Sequence, residues 1–263
     1  YVPTLFHPDK LPLEQVGFVA PFCTDDISKA VGAVNSLYKT IPAMTAQYDK
    51  FNVVRLAGNG VDSYELFTTF PVKSVKDMDG KKIGTAGAIL QWLKGIGVTP
   101  VDSNMMQYYN STKTGVYQGF IIMGSAIPGM KYPEAAPYVT RARFGAMYAV
   151  ALIINKDSLK RLPPALRKII IEVGRDWGPA GDKAVMAAHE RGFSLGKKMF
   201  KNAKWSEFSN AARTEWAMKM PNIALEWAKA LDKKGLPGTK VLQGYMNGLR
   251  AEGVTCARQW DKE

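Results

Sequence analysis

The sequence has little of what several classes of protein require. It contains only two cysteines, Cys23 and Cys256, which excludes a disulfide-rich scaffold. Its two histidines, His7 and His189, do not stand at zinc-ligand spacing from each other or from a cysteine. The longest apolar run, Phe144–Ile154, has eleven residues, whereas a helix needs about 20 to cross a bilayer. P-loop, GxSxG and complete dinucleotide-binding motifs are absent. The sequence therefore predicts no metal, no cofactor and no membrane span.

The composition is that of a folded, basic protein. Of 263 residues, 46% are apolar and 22% are charged, and the formal net charge is +12. This length allows one large or two small domains. Residues 1–131 hold 12 basic and 10 acidic side chains, whereas residues 132–263 hold 23 and 13. A basic half can favour nucleic acid, an anionic membrane surface or an anionic small ligand. Because the basic residues are scattered among acidic ones, they indicate a solvated surface, and a nucleic-acid-binding module stays an alternative.

Short apolar runs alternate with helical patterns in the first half, which predicts an α/β fold with largely parallel sheets. Gly178–Pro179 should kink or break the longest predicted helix, because proline lacks a backbone donor. The predicted strands are Val16–Pro21, Asn52–Ala57, Lys81–Ile83, Val98–Val101, Tyr117–Met123 and Tyr148–Ile154. The predicted helices are Asp25–Tyr38, Ala43–Phe51, Ala88–Ile96, Met105–Lys113, residues 163–202, Pro221–Lys233 and Thr239–Glu252.

One predicted strand-to-helix turn has the chemistry of an anion site. The small residues Gly84, Thr85, Ala86 and Gly87 follow the strand Lys81–Ile83, and they would let a ligand approach the backbone closely. Free N–H groups at the start of a helix favour a carboxylate. The alternative is an ordinary tight turn.

The order of several segments resembles that of the substrate-binding proteins of TRAP transporters of the DctP type. Pro71–Ile83 (PVKSVKDMDGKKI) is similar to the family's "PIKS..DLKGLKI", and Tyr109–Gly119 (YNSTKTGVYQG) to its "Y.ALQTGVVDG". Gly97–Val101, Tyr132–Tyr138 and Leu162–Leu166 resemble further family segments, and the similarity runs along the whole chain.

The resemblance implies a two-lobe, periplasmic-binding-protein-like α/β fold, with crossover strands and a long inter-lobe helix. Residues 1–61 plus 148–188 would form lobe I, without its first strand-helix units, and residues 62–147 plus 189–263 would form lobe II. The lobes would close around a small organic acid. The protein would be periplasmic, with its signal peptide removed, would deliver the ligand to a membrane permease, and would act as a monomer that binds no nucleic acid.

The sequence departs from the family pattern at the expected ligand site. Most members carry an arginine after "KLKI" that pairs with the substrate carboxylate, and Gly84 stands there in this sequence. The aspartate of the family's "VDG" is Gln118. Arg143, just before the crossover strand, could supply the missing cation. The candidate ligand-binding residues are Ser63, Tyr64, Gly84, Thr85, Gln118, Arg143, Phe144 and Tyr148.

Two questions stay open at this point. An enzyme on a two-lobe α/β scaffold is a further alternative, although the sequence offers no catalytic set of residues. Cys23 and Cys256 could form a disulfide in an oxidising periplasm or could stay as two thiols.

Overall fold

Two β-sheets organise the computed structural model, which describes residues 1–262. The first sheet has three strands in the order β1-β8-β2, and the second has six in the order β5-β4-β6-β3-β7-β9. The strands are β1 (Val2–Pro3), β2 (Val53–Val61), β3 (Tyr64–Thr68), β4 (Lys82–Thr85), β5 (Thr99–Asp102), β6 (Gly119–Met123), β7 (Tyr138–Arg141), β8 (Met147–Asn155) and β9 (Lys204–Glu207). The chain crosses between the two sheets three times, directly after β2 and after β7 and, by way of α7, after β8.

The strand directions are mixed, so the prediction of largely parallel sheets is wrong. Both pairs of the three-stranded sheet are antiparallel. In the six-stranded sheet β5, β4 and β6 are parallel neighbours, β3 is antiparallel to both β6 and β7, and β9 is parallel to β7. Alternating apolar runs and helical patterns indicate which segments are strands but not which strands become neighbours. Here β3 lies between β6 and β7 and runs opposite to both.

Helices cover the sheets and confirm most of the predicted helical segments. They are α1 (Ile27–Thr40), α2 (Ala43–Asp49), α3 (Tyr108–Lys113), α4 (Ile127–Met130), α5 (Tyr132–Ala135), α6 (Lys156–Arg161), α7 (Pro164–Met199), α8 (Asn210–Lys219), α9 (Ile223–Asp232) and α10 (Gly238–Ala251). Short 3₁₀ turns occupy Thr4–Phe6, Pro12–Gly17, Val75–Met78, Gly87–Leu93 and Gly124–Ala126.

Two predicted elements take a different form. Val16–Pro21 is not a strand. The first residues of this segment belong to a 3₁₀ turn that ends at Gly17, and further turns come after it. Periodicity alone cannot show whether a short buried apolar run forms a strand or a helical turn. The predicted α-helix Ala88–Ile96 is the 3₁₀ turn Gly87–Leu93.

The long helix α7 continues unbroken through Pro179. The predicted break therefore does not occur, and a bend at this point stays a prediction. Glycines on the side facing β2 allow a close approach: a Cβ atom on Gly178 would lie 2.7 Å from the backbone oxygen of Gly58, and one on Gly174 would lie 3.0 Å from Cβ of Leu56. These contacts hold the helix against the sheet in the turns that lead up to the proline.

A buried carboxylate fastens α7 to the same strand. Oδ1 of Asp182 accepts hydrogen bonds from the backbone N–H of Gly60 at 2.8 Å and from Nδ2 of Asn59 at 2.6 Å. Burial raises the pKa of Asp182, whereas these two donors oppose that rise. The pair of bonds fixes the position of α7 along β2.

The C-terminal segment closes over the start of α1. Helix α10 packs on α1, where Gly248 faces Ala33. Beyond α10, Cys256 forms a disulfide with Cys23, and the indole N–H of Trp260 donates to the backbone oxygen of Pro21 at 2.8 Å. Of the two possibilities for the cysteines, the structure therefore shows the bond.

An apolar surface is exposed on the N-terminal half of α7. The side chains of Ile169 and Val173 are 51% and 60% exposed, beside a groove lined by Leu152, Ile154 and Trp177.

No helix within residues 1–262 is long and apolar enough to span a membrane.

Candidate functional site at the edge of the six-stranded sheet

The strand register brings most of the predicted binding residues to one edge of the six-stranded sheet. Tyr64, at the start of β3, pairs with Met123 at the end of the antiparallel β6. Thr85 ends β4, which runs parallel to β6. Beyond the end of β7, the backbone N–H of Phe144 donates to the carbonyl of Tyr64 at 3.2 Å. The edge therefore carries Ser63, Tyr64, Thr85, Arg143 and Phe144 and faces the three-stranded sheet.

Gln118 and Tyr148 lie elsewhere. Gln118 precedes β6 at the opposite edge, where its Oε1 accepts a hydrogen bond from the backbone N–H of Lys82 at 2.9 Å. Tyr148 belongs to β8 in the other sheet, and its hydroxyl accepts from Nε of Arg55 at 3.1 Å. The structure therefore does not bring these two residues together with the other predicted ones.

Aromatic side chains fill the middle of the edge. The ring of Trp92 stacks on Phe144 with centroids 5.3 Å apart and meets Tyr64 edge-on at 5.5 Å. Its indole N–H donates to the backbone oxygen of Phe18 at 2.6 Å. Trp216 packs edge-on against Phe144 at 5.0 Å, and all of these rings are buried. Tyr64 and Phe144 are therefore core residues in this conformation.

The remaining predicted residues on this edge are also buried. The hydroxyl oxygen of Ser63 accepts a hydrogen bond from the backbone N–H of Gly145 at 3.2 Å. Thr85 is fully buried at the end of β4. Both side chains therefore belong to the packed interior at this edge of the sheet.

The ring of Tyr117 occupies the space next to Gly84. A Cβ atom on Gly84 would lie 2.7 Å from Cζ of Tyr117, closer than van der Waals contact permits. The hydroxyl of Tyr117 forms a hydrogen bond with Oγ of Ser103 at 3.0 Å, so the ring is held in place. Tyr117 therefore fills the position at which an arginine side chain would start in most members of the family that the sequence resembles.

We expect Gly84→Arg to lower the free energy of unfolding by about 1–3 kcal/mol or more, because it overpacks the site. The double variant Gly84→Arg/Tyr117→Ala should lose less stability than the sum of the two single variants. Urea unfolding followed by circular dichroism measures these values. Gly129→Arg is the matched control, because a Cβ atom there meets nothing within 4 Å. Equal losses at both glycines would contradict the steric explanation.

Arg143 is held between two acidic side chains. Its Nη1 lies 3.4 Å from Oδ2 of Asp25, and its Nη2 lies 2.7 Å from Oε1 of Glu207. Its backbone, at φ +55°, donates an N–H hydrogen bond to Oε2 of the buried Glu65 at 2.9 Å. Burial raises the pKa of Glu65 well above its usual value, although this backbone donor opposes the rise. The guanidinium of Arg143 is therefore already compensated by carboxylates of the protein.

A cavity of about 580 Å³ opens beside Arg143. Hydrogen bonds between the backbones of three segments form its frame: Phe22 donates to Phe144 at 2.6 Å, and Ala257 donates to Phe22 at 2.9 Å. The lining residues include Phe22, the Cys23–Cys256 disulfide, Thr24, Asp25, Arg143, Asn210, Arg213, Thr214 and Thr255. Of the predicted binding residues, only Arg143 lines this cavity among residues 1–262.

Sequence reasoning missed Arg213. It follows Arg143 by 70 positions and lies within a helical stretch of scattered basic residues, so no local pattern distinguishes it. Only the contact between α8 and the loop before α1 brings it to the cavity.

A second polar cluster lies where the chain first crosses between the sheets. Asp62 accepts hydrogen bonds from the backbone N–H and hydroxyl of Ser125 at 2.8 and 2.7 Å, and Nδ1 of His189 lies 2.7 Å from its carboxylate. Nε2 of His189 lies 3.7 Å from Glu65. These contacts connect α7 to the crossing segment and to the end of β6.

Glu14 is buried beneath the three-stranded sheet, close to Tyr48 and Tyr148. Burial raises its pKa from 4.5 to about 7, although Arg55 and the two tyrosines oppose the rise. Between those pH values the folded protein therefore binds more protons than the unfolded chain. The contribution of Glu14 to stability is complete below about pH 4.5 and is lost as the pH rises to about 7.

We expect Glu14→Gln to remove this pH dependence. The difference in unfolding free energy between the variant and the wild type should grow in favour of the variant from pH 5 to pH 8, by roughly 3 kcal/mol in total. Urea unfolding at pH 5, 6, 7 and 8 measures it, and the contributions of Glu65 and Asp182 cancel because both proteins contain them. A constant difference across this range would contradict the assignment.

The fold and the sequence match one family of known proteins. The model for "DctP: Bacterial extracellular solute-binding protein, family 7" matches residues 9–230. A solute-binding protein of Sulfitobacter sp. (strain NAS-14.1) is 24% identical over 135 residues, which cover 51% of this chain and 41% of that relative. The match therefore spans less than half of the relative's length.

Solved structures of TRAP solute-binding proteins share the fold. The TRAP periplasmic solute-binding protein of Desulfovibrio salexigens superposes with a TM-score of 0.81 at 21% identity, covering 95% of this chain and 76% of that one. The ectoine-binding protein of Halomonas elongata gives 0.81 at 16% identity, with 95% and 81% covered. The TRAP solute-binding protein of Rhodoferax ferrireducens, in complex with benzoate, gives 0.78 at 19% identity, with 96% and 78% covered. These similarities confirm the predicted two-lobe α/β fold. By the match over residues 9–230, the chain belongs to the DctP family of bacterial extracellular solute-binding proteins.

Proposed function

We propose that the protein is the extracytoplasmic solute-binding component of a TRAP transporter, which binds a small organic acid and delivers it to membrane permease subunits. The family membership supports the transport role. Structural relatives were solved with benzoate, with mandelate and with pyroglutamic acid, each of which carries a carboxylate. The observation that carries the proposal is the cavity of about 580 Å³ with two arginines in its wall.

We propose that residues 1–61 plus 148–188 form one lobe and that residues 62–147 plus 189–263 form the other, except that α10 and Cys256 move with the first lobe, because α10 packs on α1 and Cys256 is bonded to Cys23. The cavity wall would then combine Phe22, Asp25 and Cys256, which move together, with Arg143 and Arg213 of the second lobe. A ligand between two lobes favours their closed arrangement, because it gains contacts with both only in that state. The crossings after β2 and after β7, together with α7, would act as the hinge.

In this proposal Arg143 belongs to the ligand site. The buried residues Ser63, Tyr64, Gly84, Thr85, Phe144 and Tyr148 would reach a ligand only in a more open arrangement of the lobes. Gln118, at the opposite sheet edge, has no part in the site proposed here.

The periplasm is the compartment that fits best. The disulfide between Cys23 and Cys256 persists in an oxidising compartment and is rare in a reducing cytosol. We propose that the protein acts there as a monomer and by binding, without catalysis, as a member of a solute-binding family.

A thermal-shift screen of the purified 263-residue chain tests the function. Benzoate, mandelate and pyroglutamate should each be compared with a neutral analogue, such as benzyl alcohol for benzoate. A bound acid should raise the melting temperature with increasing concentration, corresponding to about 2.7 kcal/mol at 100 times the dissociation constant. If no acid stabilised the protein more than its neutral analogue, the proposed acid-binding function would be wrong.

A further inference from the structure

We infer that Arg213, and not Arg143, binds the ligand's carboxylate, and that the preferred ligand is a small monocarboxylate. The inference rests on the proposed function, since it assigns the contact that an organic acid would make in this cavity. It follows from the different surroundings of the two arginines.

Arg143 has little binding capacity left for a ligand. Its two terminal nitrogens contact Asp25 and Glu207 at 3.4 and 2.7 Å. A carboxylate at this guanidinium would have to displace one of these acids or lie beside it, and like charges at such distances repel. Arg143 thus joins the loop before α1 to the end of β9.

Arg213 has no such compensation. Its Nη2 contacts Oδ1 of Asn210, an uncharged acceptor, and within residues 1–262 no carboxylate forms an ion pair with it. Arg213 lines the cavity and is a partly buried residue. A guanidinium offers a planar set of donors that matches a carboxylate in a two-bond arrangement. Arg213 is therefore the cation of the cavity that is free to accept an anion.

The backbone that carries Arg213 is firmly placed. Oγ of Ser209 accepts a hydrogen bond from the N–H of Ala212 at 3.1 Å and so caps the start of α8. One turn further on, the buried Trp216 donates its indole N–H to the carbonyl of Trp92 at 2.8 Å. A fixed helix limits the freedom that the arginine backbone loses when a ligand binds.

The remaining lining indicates the class of acid. The charged residues in the wall are Asp25, Arg143 and Arg213. Asp25 and Glu207 pair with Arg143, so a single carboxylate suffices to pair with Arg213. Phe22 and the disulfide supply apolar surface, whereas the hydroxyls of Thr214 and Thr255 add polar groups. A cavity of about 580 Å³ lies within the usual range for small-molecule sites. These features favour a small acid with one carboxylate.

Isothermal titration calorimetry with benzoate tests the assignment. Arg213→Ala should weaken binding at least tenfold, and Arg213→Lys, which keeps the charge but loses the planar donors, should weaken it less. Arg143→Ala should have a smaller effect on affinity than Arg213→Ala. Arg191→Ala is the control matched in charge, because Arg191 is exposed and does not line the cavity; its affinity should equal that of the wild type.

The outcomes separate the inference from the proposed function. Binding by the wild type that Arg213→Ala leaves unchanged would overturn the role of Arg213 while the function stands. Tighter binding of succinate than of benzoate would overturn the monocarboxylate preference. The absence of acid binding by the wild type would overturn both proposals. Arg213→Gln replaces Arg213→Ala if chemical unfolding shows that the alanine variant does not fold.

Discussion

Trp92→Ala is expected to lower the free energy of unfolding by about 3–5 kcal/mol, one of the two largest effects that the structure predicts. The indole is fully buried and contacts Phe144 and Tyr64 through its ring. Its N–H donates to Phe18, in the turn that packs against the three-stranded sheet. The substitution thus leaves a cavity between the two sheets and an unpaired carbonyl. Guanidinium unfolding, monitored by circular dichroism, measures the loss.

Trp227→Ala is the matched control, because Trp227 is only partly buried at the edge of the same core. We expect it to cost clearly less than Trp92→Ala. Added indole should restore part of the stability of Trp92→Ala by occupying the cavity and should not affect the control. A loss at Trp92 no greater than that at Trp227 would show that the indole does not hold the sheets together.

The local pattern of the sequence predicts much of the fold. The eleven-residue apolar run predicts the strand β8, since only a buried strand or helix uses such a run, and the branched residues Val150, Ile153 and Ile154 favour a strand. The helices α9 and α10 end within one residue of the predicted Lys233 and Glu252, and glycines at positive φ, Gly235 and Gly253, follow them. These signals are local, and tertiary contacts did not overrule them.

The directions of the strands and the set of side chains that meet at the site depend on contacts between segments that are far apart in the sequence. Nothing in the sequence near Tyr64 or Phe144 shows that Trp92 would cover both rings. Both are candidate ligand-binding residues by sequence, but whether they are open to a ligand or buried depends on a side chain from another segment. The position of Gln118 depends on strand pairing in the same way. Gln118 precedes the start of β6, whereas Tyr64 pairs with the end of β6, so the two residues lie at opposite edges.

The cavity also depends on contacts between segments that are far apart in the sequence. Phe22, Arg143 and Arg213 come from segments that the sequence separates by 70 residues or more. The sequence favoured Arg143 because it precedes the crossover strand, and the structure places it in the cavity wall. Its pairing with Asp25 and Glu207 could not be read from spacing, because both acids belong to other elements.

Loss of the disulfide is the second prediction with a large expected effect. The bond between Cys23 and Cys256 closes a loop over a sequence separation of 233 residues, and a long closed loop restricts the unfolded chain strongly. We expect Cys23→Ser/Cys256→Ser to lower the free energy of unfolding by roughly 2–5 kcal/mol. Denaturant unfolding of the wild type with and without dithiothreitol, beside the double variant, measures the change.

The same variant distinguishes a stabilising bond from one that also shapes the ligand site. The double variant should be insensitive to dithiothreitol, whereas the reduced wild type should approach the variant in stability. Because the disulfide lines the cavity beside Arg213, we also expect weaker benzoate binding at temperatures where the variant is still folded. Unchanged stability on reduction would show that the contact of Trp260 with Pro21 and the packing of α10 on α1 hold the C-terminal segment without the bond.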